Sequence, residues 1–167
     1  MDFFKGKLGL DQRDYTIISL LQENPRISQE EIARKIKLSQ PSVGARIKKL
    51  SEKGIITLVN GVNFKVVDLF LAKVDVYASD TKAVLEEFEG CPYFINGLVI
   101  SGRYNLCLLF VSTDLKCLEG IVNTHLRDNS NVRDVEMNIV ISTAKDLILP
   151  LNFSGQSPKC NRDCQRF

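Results

Sequence analysis

A single histidine, His125, stands in the 167 residues of this chain, and that scarcity narrows the chemistry open to it. Histidine is the usual proton carrier near neutral pH and a frequent metal ligand, so one copy leaves little for acid–base catalysis or a metal centre. The chain also lacks a glycine-rich phosphate loop, a Gly-x-Ser-x-Gly elbow and a His-Glu-x-x-His pair, the patterns behind phosphoryl, acyl and zinc-hydrolase chemistry. An enzyme is therefore not expected, and neither is a cofactor. No apolar run approaches the roughly eighteen residues a membrane span needs. The opening stretch MDFFKGKLGLDQRD has no signal-type apolar region or small-residue cleavage site. These absences predict a cytoplasmic protein with no membrane partner.

What is present is a foldable chain with uneven charge. Apolar residues make up 44% of it, ample for a packed core and against disorder. Its length suits one or two domains. Residues 1–60 hold eleven Lys or Arg against seven Asp or Glu, net +4, whereas residues 61–167 hold eleven against thirteen, net −2. A basic head on a mildly acidic body is the local asymmetry that attracts nucleic acid, whatever the overall charge.

Residues 28–54 read as two short helices joined by a tight turn. Ser28-Gln29-Glu30-Glu31 is a capping-box pattern, and Ile32 and Ile36 give the first helix an apolar face at i, i+4. Leu38-Ser39 supplies the turn, with Ser39 a good N-cap. Pro41 is tolerated because it falls in the first turn, where its missing N–H has no helical acceptor. Val43, Ile47 and Leu50 recur at i, i+4, i+7 and point inward, and Gly54 stops the helix. The remaining surface carries Gln40, Ser42, Ala45, Arg46, Lys48 and Lys49.

A run of positive charge is most often a solvated helix face. Here no acidic residue lies between 39 and 51, so i,i+4 ion pairing does not account for the stripe. The mixture is also what a groove reader uses: an amide for base edges, small residues for close approach, cations for phosphate or guanine. A helix-turn-helix presents its second helix to the major groove. The expected contacts with double-stranded DNA are Ser28, Gln40, Pro41, Ser42, Ala45, Arg46, Lys48 and Lys49, with Arg46 and Ser42 facing bases and the two lysines facing phosphates.

Ile55–Val59 and Val62–Phe64 about Asn60-Gly61 read as a hairpin, the strongest short turn signal, which makes the head a winged helix-turn-helix. A further helix, Asp11–Glu23, places Tyr15, Ile17, Ile18 and Leu21 at helical spacing, and Asn24-Pro25 ends it. Beyond the linker the pattern is β-α-β-β-α-β. Strands are expected near 70–77, 94–100, 104–111 and 132–142, with helices near 81–89 and 114–127. The fold class is thus α+β, a winged head followed by a ferredoxin-like domain. The domains run 1–64, 65–149 and a tail 150–167. Val99, Leu106, Leu108, Leu109 and Phe110 make the strands apolar on both sides while the helices cover one face, so a homodimer is expected.

The chain resembles the Lrp/AsnC family, the feast/famine transcription regulators of bacteria and archaea, over about residues 8–148. The residues that carry the resemblance include Leu10-Asp11, Asp14, Ile17-Ile18, Leu21-Gln22, Arg26-Ile27-Ser28, Ile32-Ala33, Leu38-Ser39, Arg46-Ile47 and Gly54-Ile55-Ile56. It implies dimers that assemble further, an octamer among the forms, and a small effector, frequently an amino acid, held between subunits. The effector loop would be Ser101-Gly102-Arg103-Tyr104-Asn105. Here Arg103 and Asn105 replace the two acids of the family's usual Gly-Asp-Tyr-Asp, and Met137 falls where a polar residue is common. Gly102, Arg103, Tyr104, Asn105 and Met137 are the candidate effector residues, Arg103 as a clamp for a carboxylate. Gly102 equally suits a plain hairpin turn.

Two other readings remain open. An enzyme on the same two-domain plan, as in siroheme decarboxylases, would be expected to need more histidine than His125 alone. An effector-independent DNA-binding or assembly protein is the other. Among the five cysteines, Cys107 and Cys117 read as small buried hydrophobes, and Cys91 precedes Pro92. Cys160 and Cys164 in the tail form a C-x3-C pair that could bind metal, form a disulfide or do neither. A tetrahedral zinc site needs four ligands, and no metal is expected.

Overall fold

The computed structural model describes residues 9–151, in two compact units divided between Val59 and Asn60. The first unit is three helices, α1 (Gln12–Glu23), α2 (Gln29–Ile36) and α3 (Gln40–Glu52). Each begins on a side-chain cap that satisfies an otherwise orphaned N–H. Ser28 Oγ accepts the Glu31 N–H at 3.1 Å, and Ser39 Oγ accepts the Ser42 N–H at 3.4 Å. The reciprocal box with both halves formed is at α1, where Asp11 and Asp14 each accept the other's backbone N–H. The turn between α2 and α3 passes through Lys37, a non-glycine residue at φ 53°. After α3, Gly54 at φ 65° lets the Gly54 and Ile55 N–H groups return to the carbonyls of Ser51 and Leu50, both at 2.9 Å.

Apolar periodicity is realised as read. Ile17, Ile32, Ala33, Val43 and Leu50 form the buried centre, with Ile47 packed against them. Each large aliphatic group removed from water contributes about 1.5–3 kcal/mol.

In the second unit a four-stranded antiparallel sheet has the order β3-β4-β2-β5, from β2 (Phe70–Ala78), β3 (Phe94–Val99), β4 (Leu106–Ser112) and β5 (Val132–Ile139). Helices α4 (Thr81–Glu86) and α5 (Leu115–Val122) complete the split βαβ plan, α5 running on into a turn of π-helix, Asn123–Arg127. Alternation along β2 assigns the faces. Ala72, Val74, Val76 and Ala78 share the helix-side core with Val84, Leu118, Ile121 and Leu126. The odd-numbered Leu71, Lys73, Asp75 and Tyr77 point the other way.

Two expectations change here. The hairpin about Asn60-Gly61 does not form: 55–59 is not a strand. Val62–Asn63 (β1) instead pairs antiparallel with Ile148–Leu149 (β6), in the second unit. Gly61 serves close approach, since a Cβ there would sit 2.6 Å from the Leu149 carbonyl oxygen. The second sheet face is also not bare. Phe64, Leu71, Val111 and Leu149 bury one another on that side, with Leu69, Ile95, Leu109 and Val140 against them, so the chain covers part of the face itself. Leu106, Leu108 and Phe110 point to the helices.

Candidate nucleic-acid interface

Along α3 the inward stripe leaves Gln40, Pro41, Ser42, Ala45, Lys48 and Lys49 exposed together. Ser28 is exposed at the start of α2, where its hydroxyl is engaged as the cap. The Ser42 hydroxyl lies 2.8 Å from that of Ser39. Gly44 faces the Gln29 side chain of α2, whose Oε1 a Cβ would meet at 2.8 Å. Lys48 reaches Glu52 at 3.8 Å, just beyond the stretch read as free of acids. That pair is exposed and weak.

Arg46 departs from its expected outward role. Its Nη1 donates to Asp11 Oδ2 at 2.7 Å and to Asp14 Oδ1 at 2.6 Å, and its side chain is 28% exposed. The two carboxylates are those of the α1 capping box, so every one of their four oxygens holds a partner: two backbone N–H groups and the guanidinium twice. The Asp14 backbone N–H first, then the guanidinium, hold the Asp11 carboxyl below its ordinary range, and the two carboxylates raise Arg46. The sequence signal was available as Asp11, Asp14 and Arg46, but nothing in spacing alone joins positions 32 and 35 residues apart.

In the second unit, the expected effector residues separate. Gly102 has φ 135°, and a Cβ there would make only an ordinary contact with the Tyr104 carbonyl oxygen at 3.8 Å, so its conformation is what requires glycine. Arg103 Nη2 lies 3.2 Å from Asp134 Oδ2, with its guanidinium over the Tyr104 ring. The Tyr104 hydroxyl donates to Glu136 Oε2 at 3.2 Å, and partial desolvation followed by this bond raises its pKa. Asn105 faces inward: its Nδ2 donates to the Ala78 carbonyl at 2.7 Å and its Oδ1 accepts the Ala78 N–H at 2.8 Å. Its amide is occupied by the strand. Met137 stands opposite Val74 and packs in the helix-side core, because β5 alternation turns it from the loop. Asp134 and Glu136, unnamed in the sequence reading, are the β5 side chains beside the loop.

His125 is buried at 4% exposure, its Nδ1 3.6 Å from Glu87 Oε2 and its ring against Phe88, so it has the acidic neighbour that its sequence surroundings did not reveal. Cys107 is buried, and burial pushes its thiol up. Cys117 is half-buried. Cys160 and Cys164 lie outside the described residues. Among the described residues no group of three or more His, Cys, Asp or Glu is placed to hold a metal, and no helix is long and apolar enough to cross a membrane.

Residues 10–57 match the model of a winged helix-turn-helix DNA-binding family. An HTH-type transcriptional regulator of Pyrococcus abyssi, itself uncharacterised, is 30% identical over 143 residues, which are 81% of this chain and 95% of that protein. The chain belongs to the Lrp/AsnC family. It is a DNA-binding transcriptional regulator of that type. The structure of Bacillus subtilis LrpC superposes with a TM-score of 0.67 at 27% identity, covering 81% of this chain and 97% of LrpC. The regulator NMB0573 of Neisseria meningitidis, solved as a complex with L-Met, shares the fold at TM-score 0.68 and 24% identity, over 87% and 98% of the two chains.

Proposed function

We propose that this Lrp/AsnC protein acts as a homodimer or a higher even assembly. In it the exposed face of α3, with Gln40, Pro41, Ser42, Ala45, Lys48 and Lys49, enters the major groove, and a small zwitterionic ligand, an α-amino acid, regulates it. Ser28, at the N-terminus of α2, lies against the backbone, where a helix end favours phosphate. One observation carries the ligand reading: the cation of Arg103 and the carboxylates of Asp134 and Glu136 are side by side on the surface, Arg103 with 79% of its side chain exposed. That pairing offers a planar clamp for a carboxylate and acceptors for an ammonium in one place. The L-Met held by NMB0573 supports an amino acid as the class. Tyr77 and Leu98, about half exposed on the uncovered part of the sheet, supply apolar area for a second copy.

Enzymatic tetrapyrrole chemistry is disfavoured by the only histidine being packed beneath Phe88. Thermal-shift screening of amino acids on wild type and Arg103→Ala tests the regulatory reading, because a ligand that binds only the folded state raises the melting temperature. The expected result is one or a few amino acids that stabilise wild type and not the variant. Equal stabilisation of both would place the site elsewhere. No response at millimolar concentration would favour an effector-independent regulator.

A further inference from the structure

We propose that Arg46 is a positioning residue: it pins α3 to the start of α1 and so fixes the roll of the reading helix, without itself reading a base. The proposal rests on α3 being the helix that enters the groove. The apolar anchors of α3, Val43, Ile47 and Leu50, lie along one line of the helix, and a line of contacts restrains rotation about itself weakly. At about 100° per residue, Arg46 lies roughly 40° round the helix from Leu50 and roughly 100° from Ile47, so it supplies a polar attachment at the edge of that line. The attachment is firm, because both acceptors are already fixed in a reciprocal cap and each oxygen has one partner. Beside it lies a cleft of about 420 Å³ lined by Leu10, Ala45, Arg46, Lys49 and Lys53. Packing does not fill that side, and the ion pairs bridge it.

With both Nη1 hydrogens given to Asp11 and Asp14, a base could be met through Nη2 and Nε alone, and a full reach into the groove would surrender the arrangement. Releasing the cation would leave the Asp14 carboxylate, 16% exposed, unpaired beside a polyanion, and removing one partner of a largely buried ion pair is costly. Kept intact, the cluster carries one net negative charge. An electrostatic role alone therefore predicts that neutralising Asp14 tightens DNA binding, while a pin predicts the opposite sign.

The test is a double-mutant cycle on the full chain. The probes are a duplex selected by the wild type from a random-sequence library and pooled unselected duplexes, at a temperature well below the melting of every variant. Under those conditions a pair that merely added stability would leave affinity unchanged. The pin predicts that Arg46→Ala and Asp14→Asn each weaken binding to the selected duplex by about tenfold, the scale of a misplaced base contact. The double variant should lose about tenfold as well, not about a hundredfold, since coupled sites are not additive. Base preference at every position should keep its rank order, the salt slope should stay as in wild type, and Arg46→Lys should recover part of the loss. Asp14→Asn binding as tightly as wild type or tighter, with Arg46→Ala relaxing preference at one base, would overturn it. Gln40→Ala separates the underlying reading: unchanged binding and preference there would remove α3 from the groove, and the proposal with it.

Discussion

The side-chain amide of Asn105 and the backbone of Ala78 exchange two hydrogen bonds, at 2.8 and 2.7 Å, as one strand residue does with another. Asn105 itself bonds through its N–H to the Val76 carbonyl, so it extends the β2–β4 ladder past the end of the strand. This holds the base of the Gly102 loop to the central strand. Replacing Asn105 with Ala leaves a partly buried N–H and carbonyl at Ala78 without these partners, at a cost of about 1–3 kcal/mol. Urea unfolding of Asn105→Ala should show that loss with an unchanged m-value. An unchanged midpoint would mean that water replaces the amide without penalty.

The capping box at Asp11 makes the head acid-sensitive in a defined direction. The Asp11 carboxyl is held below its ordinary value of 3.8. A depressed carboxylate stabilises the fold fully above its unfolded pKa, and that contribution is lost as pH falls through the folded value. The head should therefore weaken below about pH 4. Titration followed by NMR should place Asp11 below the ordinary range in wild type, and Arg46→Ala should raise it without restoring it fully, because the Asp14 N–H remains. An Asp11 titration identical in both proteins would show that the ion pair does not persist in solution.

Gly61 is the point where the linker passes over β6. A methyl group there meets both the Leu149 carbonyl oxygen and Ile148 Cγ2 at 2.6 Å, and overpacking of this kind costs about 1–3 kcal/mol. Gly61→Ala should loosen the β1–β6 pair, read as faster hydrogen exchange at the Phe64 N–H, which bonds the Leu147 carbonyl at 2.8 Å. Exchange at wild-type rate would show that the two strands shift together to admit the methyl.

How legible these features were follows from the range of the physics involved. The helix caps at Ser28 and Ser39, the stripe Val43-Ile47-Leu50 and the alternating strands are local patterns, and the elements formed within a few residues of their expected ends. Asn60-Gly61 carried a strong local turn signal, yet tertiary pairing with Ile148–Leu149 prevailed, and the glycine proved to be there for room. The two-residue period of β5 already implied that Met137 and Glu136 take opposite faces. It did not say which face adjoined the loop, because register with β2 is a non-local fact. The pairing of Arg46 was hidden for the same reason: its partners lie at the start of another helix, and a cation without nearby acids looks free in sequence. Lys37 gave no signal at all, since a left-handed turn is ordinarily marked by glycine.

Hydroxyl-radical footprinting of the full chain on DNA fragments it selects tests the central claim most directly, that paired copies place α3 in successive major grooves. The predicted pattern is a pseudo-palindromic pair of protected half-sites whose centres lie about 10 base pairs apart, or a multiple of that, on one face of the duplex. Protection of one unrepeated half-site, or uniform protection with no helical period, would contradict it.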